Sequence, residues 1–244
     1  MINKKKKILI TGSSSGIGYD AAKFFIKKNY TVVGISRTKP KIGNKYKHID
    51  FDLTNYSEYD DLFNTLHKEF GKFDNFLYSA GRQFIKPIKI IESSDIDELF
   101  NINLKSAILM SRILSHKKYF NSFGSAIFIA SVMGVKGSKG QTVYSASKGG
   151  LISFVKSLAL ELSSSNIRVN CISPGVIKSA MFNKYKKSIN SETYQKVLSS
   201  HPSGFGEFKD ITTLINFLFS QDSKWITGQN IIIDGGFSIW KQCS

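Results

Sequence analysis

Lys7-Ile8-Leu9-Ile10-Thr11-Gly12-Ser13-Ser14-Ser15-Gly16-Ile17-Gly18 is the stretch that sets the architecture. The short apolar run reads as a buried strand, and the glycines after it permit a tight turn into a helix. Glycine lets a backbone approach a pyrophosphate closely, and the first turn of the helix offers unpaired N–H groups to the anion. In isolation a glycine-rich turn is about as often structural as ligand-binding. Here it leaves a strand and opens a helix, which favours a dinucleotide site at Gly12, Ser14, Gly16, Ile17 and Gly18.

Outward from this turn the same alternation continues. Strand patterns fall at Lys7–Thr11, Thr31–Ser36, Tyr46–Asp50, Asn75–Ser79, Ser125–Ser131, Arg168–Ser173 and Asn230–Asp234. Helical patterns fall between them at Gly16–Lys28, Tyr56–Phe70, Ser94–Lys118, Val143–Leu162 and Phe208–Ser220. Strands separated by helices predict an α/β domain, a parallel sheet covered on both faces. No repeat, linker or composition break divides residues 1–244, so one domain is expected. A polar, lysine-rich excursion at about 179–206, carrying Tyr185 and Tyr194, reads either as a solvated helical segment or as a substrate lid beside a ligand crevice.

Composition narrows the function classes. The chain has 244 residues, 41% of them hydrophobic, enough for one large core. No run approaches the ~20 apolar residues of a membrane span, and Met1 to Lys7 lacks a secretory pattern, so no membrane association and a cytoplasmic location are expected. Two cysteines and four scattered histidines give no metal-ligand spacing. The formal charge of +16 invites a nucleic-acid reading, but only four of the 34 basic residues are arginine and the lysines are spread along the chain. Base and phosphate forks favour arginine, so no specific nucleic-acid partner is expected.

Several residues carry candidate chemistry. Where an NAD-binding strand end often holds a carboxylate for the adenine-ribose hydroxyls, this chain has Ser36-Arg37. A guanidinium there accepts a 2′-phosphate, which favours NADP(H), although arginine also coats surfaces. Asp52 either bonds the adenine amino group, with Leu53 packed on the ring, or serves as a turn acid. Tyr144 and Lys148 lie one helical turn apart, where an ammonium and a cationic nicotinamide would favour the phenolate. Ser131 closes the fifth strand pattern at the carboxyl edge of the sheet, where ligands of open α/β sheets bind. An amide such as Asn103, in a helical stretch, ordinarily points to solvent, and Ser173-Pro174-Gly175-Val176-Ile177 forces an extended turn that can face a nicotinamide amide.

Together these residues resemble the short-chain dehydrogenase/reductase family across essentially the whole chain. The resemblance rests on the glycine pattern, Asn103, Ser131, Tyr144-Ser145-Ala146-Ser147-Lys148, Pro174-Gly175 and the ending Trp225-Ile226-Thr227-Gly228-Gln229 with Asp234-Gly235-Gly236. It implies a seven-stranded Rossmann sheet and a catalytic tetrad of Asn103, Ser131, Tyr144 and Lys148. It also implies that Lys148 holds the nicotinamide ribose, that Asn103 supports a relay water, and that Ala80, Gly81, Ile177 and Ser179 line the cofactor. A homodimer or homotetramer built on the two long helices is implied as well. Within the family the chain looks most like the reductases of 3-oxoacyl groups on acyl carrier protein, so the expected substrate is a small or carrier-bound carbonyl compound. Two departures stand out. Tyr78-Ser79 replaces the usual Asn-Asn, and Ser122 and Ser165 fall where arginines that dock the carrier are common. A sugar or nucleotide-linked sugar reductase is the alternative, and a noncatalytic cofactor-sensing protein would be expected to show an eroded tetrad.

Overall fold

The computed structural model describes residues 5–179, 182–183, 186–187 and 190–240. Seven strands form one parallel sheet: β1 (Lys7–Thr11), β2 (Thr31–Ile35), β3 (Tyr46–Ile49), β4 (Phe73–Tyr78), β5 (Phe120–Ile129), β6 (Arg168–Pro174) and β7 (Asn230–Ile233). Their order is β3-β2-β1-β4-β5-β6-β7, the doubly wound Rossmann arrangement. The direction of winding reverses between β1 and β4, which opens a crevice at the carboxyl ends of those strands.

The alternation of side chains along a strand sorts the core into two layers. Leu9, Val33, Phe76 and Phe128 face one side, packed with Phe63, Met110 and Leu151 from α2 (Tyr59–Phe70), α4 (Ser106–Leu114) and α6 (Thr142–Leu162). Ile8, Ile10, Val32 and Ile127 face the other. There they meet Phe25 of α1 (Gly16–Lys27) and Ile211, Ile215 and Leu218 of a helix spanning Phe208–Leu218. Burying each such side chain stabilises the fold by roughly 1.5–3 kcal/mol.

The helix expected over Ser94–Lys118 is broken. It consists of α3 (Ser93–Phe100), a π-helical turn at Asn101–Lys105, and α4, which ends at Leu114. Side chains recruit the carbonyls of the wide turn. Ser106 and Tyr56 donate to Asn101 O, and Tyr78 donates to Ile102 O at 2.5 Å. At the far end Ser115 Oγ closes on the Arg112 carbonyl, stopping the helix short of Lys118. β5 also stops at Ile129, so Ser131 sits two residues past the strand rather than closing it.

A four-residue helix, α5 (Met133–Lys136), follows Ser131. Beyond β6, α7 (Ser191–Ser199) belongs to the lysine-rich excursion, and α8 is the Phe208–Leu218 helix. The excursion has an aromatic underside. The Phe182 and Phe205 rings lie 4.8 Å apart, and His201 stacks on Phe237 at 4.5 Å. Met181, Lys184 and Tyr185 of this segment, and Cys243 of the tail, lie outside the described residues. Among the described residues no helix is long and apolar enough to cross a membrane, and no group of three or more His, Cys, Asp or Glu side chains is placed to hold a metal ion.

Candidate active site

A cleft of about 530 Å³ opens at the crevice between β1 and β4. Its floor is the glycine turn. A Cβ on Gly12 would come within 2.8 Å of the Ala80 backbone, and one on Gly18 within 2.5 Å of Gly12 O, so the turn closes only because these side chains are missing. Gly16, at φ +58°, has open space where its Cβ would be, and with Ser14 and Ile17 it lines the cleft. Backbone N–H groups at the start of α1 therefore stand beside a glycine-walled trough, a fit for a dinucleotide pyrophosphate. Ala80 and Gly81 line the opposite wall, where the Thr11 hydroxyl accepts the N–H groups of Ser79 (3.1 Å) and Ala80 (3.2 Å). That hydroxyl and the Tyr78 bond to Ile102 O secure the segment that lacks the family's Asn-Asn pair.

Arg37, Asp52 and Leu53 meet at one end of the cleft. Arg37 Nη1 lies 3.7 Å from Asp52 Oδ2. Asp52 Oδ1 accepts from Thr54 N (2.9 Å) and Thr54 Oγ1 (2.8 Å), so the turn-acid reading holds in geometry while the carboxylate still borders the cleft. The Thr54 N–H, ahead of the Thr54 hydroxyl and the Arg37 and Arg82 charges, holds the Asp52 carboxyl below its ordinary range. Ser36 does not present a free hydroxyl. Its Oγ donates to Thr38 O at 3.0 Å and lies 3.2 Å from His48 Nε2, leaving Arg37 as the cationic group at this strand end.

Lys148 and Asn103 stand behind Gly81. Lys148 is 4% exposed and donates to Ile129 O at 2.9 Å, and burial pushes its ammonium down to about 8. A Cβ on Gly81 would lie 3.3 Å from Lys148 Nζ and 3.1 Å from Asn103 Oδ1, which joins lysine, asparagine and cleft wall in one place. Lys148 Nζ is 5.9 Å from the centre of the Tyr144 ring. Desolvation raises Tyr144 above its ordinary value, with hydrogen bonding from Ser131 opposing, so the group is a neutral phenol at pH 7. Ser131 Oγ accepts the Met133 N–H at 3.2 Å, and Val132 N donates to Pro174 O at 3.0 Å, tying the serine loop to the end of β6.

Asn103 does not point to solvent. The π turn swings it inward to 0% exposure, where Oδ1 accepts from Arg82 N (2.8 Å) and Nδ2 donates to Arg82 O (3.0 Å) and Ser147 Oγ (3.0 Å). Its amide is thus spent on protein groups and fixes the β4 loop to α6.

The Pro174–Ser179 stretch is shaped by β7 and by the loop before α8. Gly175 N donates to Ile233 O at 3.0 Å, and a Cβ on Gly175 would come within 2.7 Å of Asp234. Ile177 pairs in parallel with Gly206. Ser179 Oγ accepts the Phe182 N–H at 3.1 Å, which leaves its own O–H to donate. Sequence reasoning missed Arg82, Glu98 and Phe51 on the cleft wall, and Ser147 behind Asn103. Arg82 directly follows Ala80-Gly81, a signal that was readable; Glu98 carried none.

Comparison with known proteins follows the same lines. The profile of a family described as Enoyl-(Acyl carrier protein) reductase matches residues 12–238. The 3-oxoacyl-[acyl-carrier-protein] reductase FabG of Buchnera aphidicola subsp. Baizongia pistaciae is 37% identical over 245 residues, spanning 97% of this chain and 98% of that protein. Among solved structures, 4-hydroxyisoleucine dehydrogenase complexed with NADH superposes with a TM-score of 0.82 at 30% identity, covering 97% of this chain and 100% of that one. ElxO with NADP bound gives a TM-score of 0.85 at 26% identity over 96% and 98% of the two chains.

Proposed function

Because the chain belongs to the short-chain dehydrogenase/reductase family and is an NAD(P)-dependent oxidoreductase, we propose that it reduces a carbonyl to an alcohol with NADPH, the substrate being a 3-oxoacyl thioester. The observation that carries the reading is the buried Tyr144 phenol, hydrogen-bonded by Ser131 and one helical turn from Lys148, whose ammonium stands directly behind Gly81 in the wall of the glycine-lined cleft. A nicotinamide held in this cleft would supply the hydride that reduces the carbonyl carbon. Ser131 hydrogen-bonds the carbonyl oxygen, and Tyr144, held as a neutral phenol by burial, gives its proton to that oxygen. Lys148 would hold the nicotinamide ribose, and the proton that Tyr144 gives up is regained from solvent. Asn103 acts by position, keeping Arg82 and Ser147 in register around Lys148.

The trough at Gly12, Ser14, Gly16 and Ile17 fits the pyrophosphate, and Arg37 fits a 2′-phosphate. Asp52 and Leu53, on the cleft wall, would border the adenine, and Pro174, Gly175, Ile177 and Ser179 would hold the carboxamide. The segment at about 179–206 serves as the substrate lid, with Phe182 packed on Phe205 within it and His201 stacked on Phe237 outside it.

The test is NADPH oxidation against matched panels of 3-oxoacyl thioesters and keto-sugars. Efficient thioester reduction is expected, falling by about a hundredfold or more in Tyr144→Phe while NADPH binding survives. Selective keto-sugar turnover would refute the acyl assignment, and a Tyr144→Phe enzyme near the wild-type rate would refute the mechanism.

A further inference from the structure

Two carboxylates in the cleft wall each face an arginine. Arg37 is paired with Asp52, and Arg82 with Glu98 of α3. All four border the same cleft. From this we infer that Arg82 is a second phosphate-binding arginine of the dinucleotide site, held by Glu98 until an anionic ligand takes it over. The inference rests on the dinucleotide reading given above and adds a residue to it.

The geometry separates Arg82 from an ordinary surface pair. Its backbone is held on both sides by the buried amide of Asn103, which accepts the Arg82 N–H at 2.8 Å and donates to the Arg82 carbonyl at 3.0 Å. The residue is thereby fixed directly after Gly81, whose Cα stands beside Lys148 Nζ. From that fixed root the side chain lies along the cleft wall toward Glu98, and its charge reaches Asp52 together with that of Arg37. Two guanidinium groups thus act on one stretch of the trough, from the β2 end and from the β4 end.

The chemistry favours exchange. Both side chains of the Arg82–Glu98 pair are about half exposed, at 47% and 44%, and exposed ion pairs contribute little to stability. A phosphate oxygen offers the guanidinium a charge-assisted, bidentate bond with more charge than one carboxylate. Glu98, once released, faces water at no large cost, whereas its negative charge beside an incoming phosphate is repulsive while it remains. Glu98 therefore sets how tightly the anion binds, and Arg82 supplies the attraction. The accepting group is a phosphate of the dinucleotide, either the 2′-phosphate or the pyrophosphate.

The experiment is calorimetric titration of wild type, Arg82→Gln and Glu98→Gln with NADPH, NADH, 2′-AMP and ADP at low and high salt. Arg82→Gln is expected to weaken NADPH binding about tenfold and to flatten its salt dependence, while Glu98→Gln tightens it. Selective weakening of 2′-AMP places the contact on the 2′-phosphate, and selective weakening of ADP places it on the pyrophosphate. A purely structural pair would lose affinity equally in both variants, and that outcome overturns the inference. So does an Arg82→Gln protein matching wild type within twofold on all four ligands. A wild type that binds neither dinucleotide would instead overturn the cofactor reading, and the inference with it.

Discussion

At the scale of single residues, charge and burial make two separable predictions. Arg37 stands at the end of β2 with 62% of its side chain exposed and Asp52, at 3.7 Å, as its ion-pair partner among the described residues. An exposed pair of this kind gives way to a phosphate readily, whereas a carboxylate in place of Arg37 would repel one. Arg37→Asp is therefore expected to weaken NADPH about tenfold to a hundredfold and leave NADH nearly unchanged, measured as dissociation constants. Equal wild-type affinity for the two cofactors would end the assignment of Arg37 to the 2′-phosphate. Lys148 gives a stability signature instead. Burial lowers its ammonium from 10.5 to about 8. Below pH 8 it is charged in both folded and unfolded states, and the fold bears the desolvation cost. Between about 8 and 10.5 the folded protein releases the proton while the unfolded chain keeps it, so stability rises with pH across that window. The contribution is complete above 10.5 and lost as pH falls through about 8. It amounts to about 3 kcal/mol. Urea unfolding of wild type and Lys148→Met at pH 7 and pH 10 should show wild type gaining stability relative to the variant at the higher pH, since the raised Cys171 thiol and buried phenols act on both proteins alike; parallel profiles would mean that the ammonium is better solvated than its burial implies.

Among the elements, the π turn at Asn101–Lys105 does most to assemble the site, and it is the one the sequence concealed. Strand and helix order were readable because each strand is a short apolar run and each helix an amphipathic period, signals carried by local chemistry. Nothing local marks Phe100-Asn101-Ile102-Asn103-Leu104 as wider than an α-helix. The cause lies elsewhere in the chain, in the Tyr78 hydroxyl reaching Ile102 O and the Tyr56 hydroxyl reaching Asn101 O. The solvent-facing reading of Asn103 failed for that reason, although the family resemblance had already singled the residue out. Gly12, Gly16, Arg37 and Asp52 were legible from their places beside strand ends, Ala80 and Gly81 from the family resemblance, and the cleft brings them together. Glu98 and Ser147 were not, since one acquires its position from the broken helix and the other from the amide that the break turns inward. Asn103→Ala removes three hydrogen bonds at once and strands the Arg82 backbone and the Ser147 hydroxyl. A loss of roughly 1–3 kcal/mol in urea unfolding is expected, with turnover falling further than NADPH affinity. An unchanged unfolding midpoint would show that the amide does not join the β4 loop to α6.

For the molecule as a whole, the sheet is left with an edge that invites a second copy. β7 ends the strand order, and Ile232 on it is 41% exposed. Beside it the turn before β7 carries Trp225 at 95% exposure, and a Cβ on Gly228 of that turn would sit 3.6 Å from Ala159 of α6. The next residue of α6, Leu160, is 78% exposed. A tryptophan and a leucine exposed on either side of the Gly228–Ala159 approach, at the β7 end of the sheet, are a liability for a solitary chain, because sheet edges and apolar patches drive association. A two-fold partner covering this face satisfies both, since a self-complementary patch closes upon itself. The family resemblance assigns self-association to the helices near 94–118 and 143–162, and Leu160 lies at the end of the second. Light scattering of the purified chain is therefore expected to report at least twice its 27.3 kDa mass. The double change Leu160→Lys with Trp225→Lys should shift that value toward a single chain, because two like charges per copy would meet across the symmetry axis. A wild type that stays at 27.3 kDa at concentrations of tens of micromolar would refute the assembly, and an unchanged mass in the double variant would move the interface off this face.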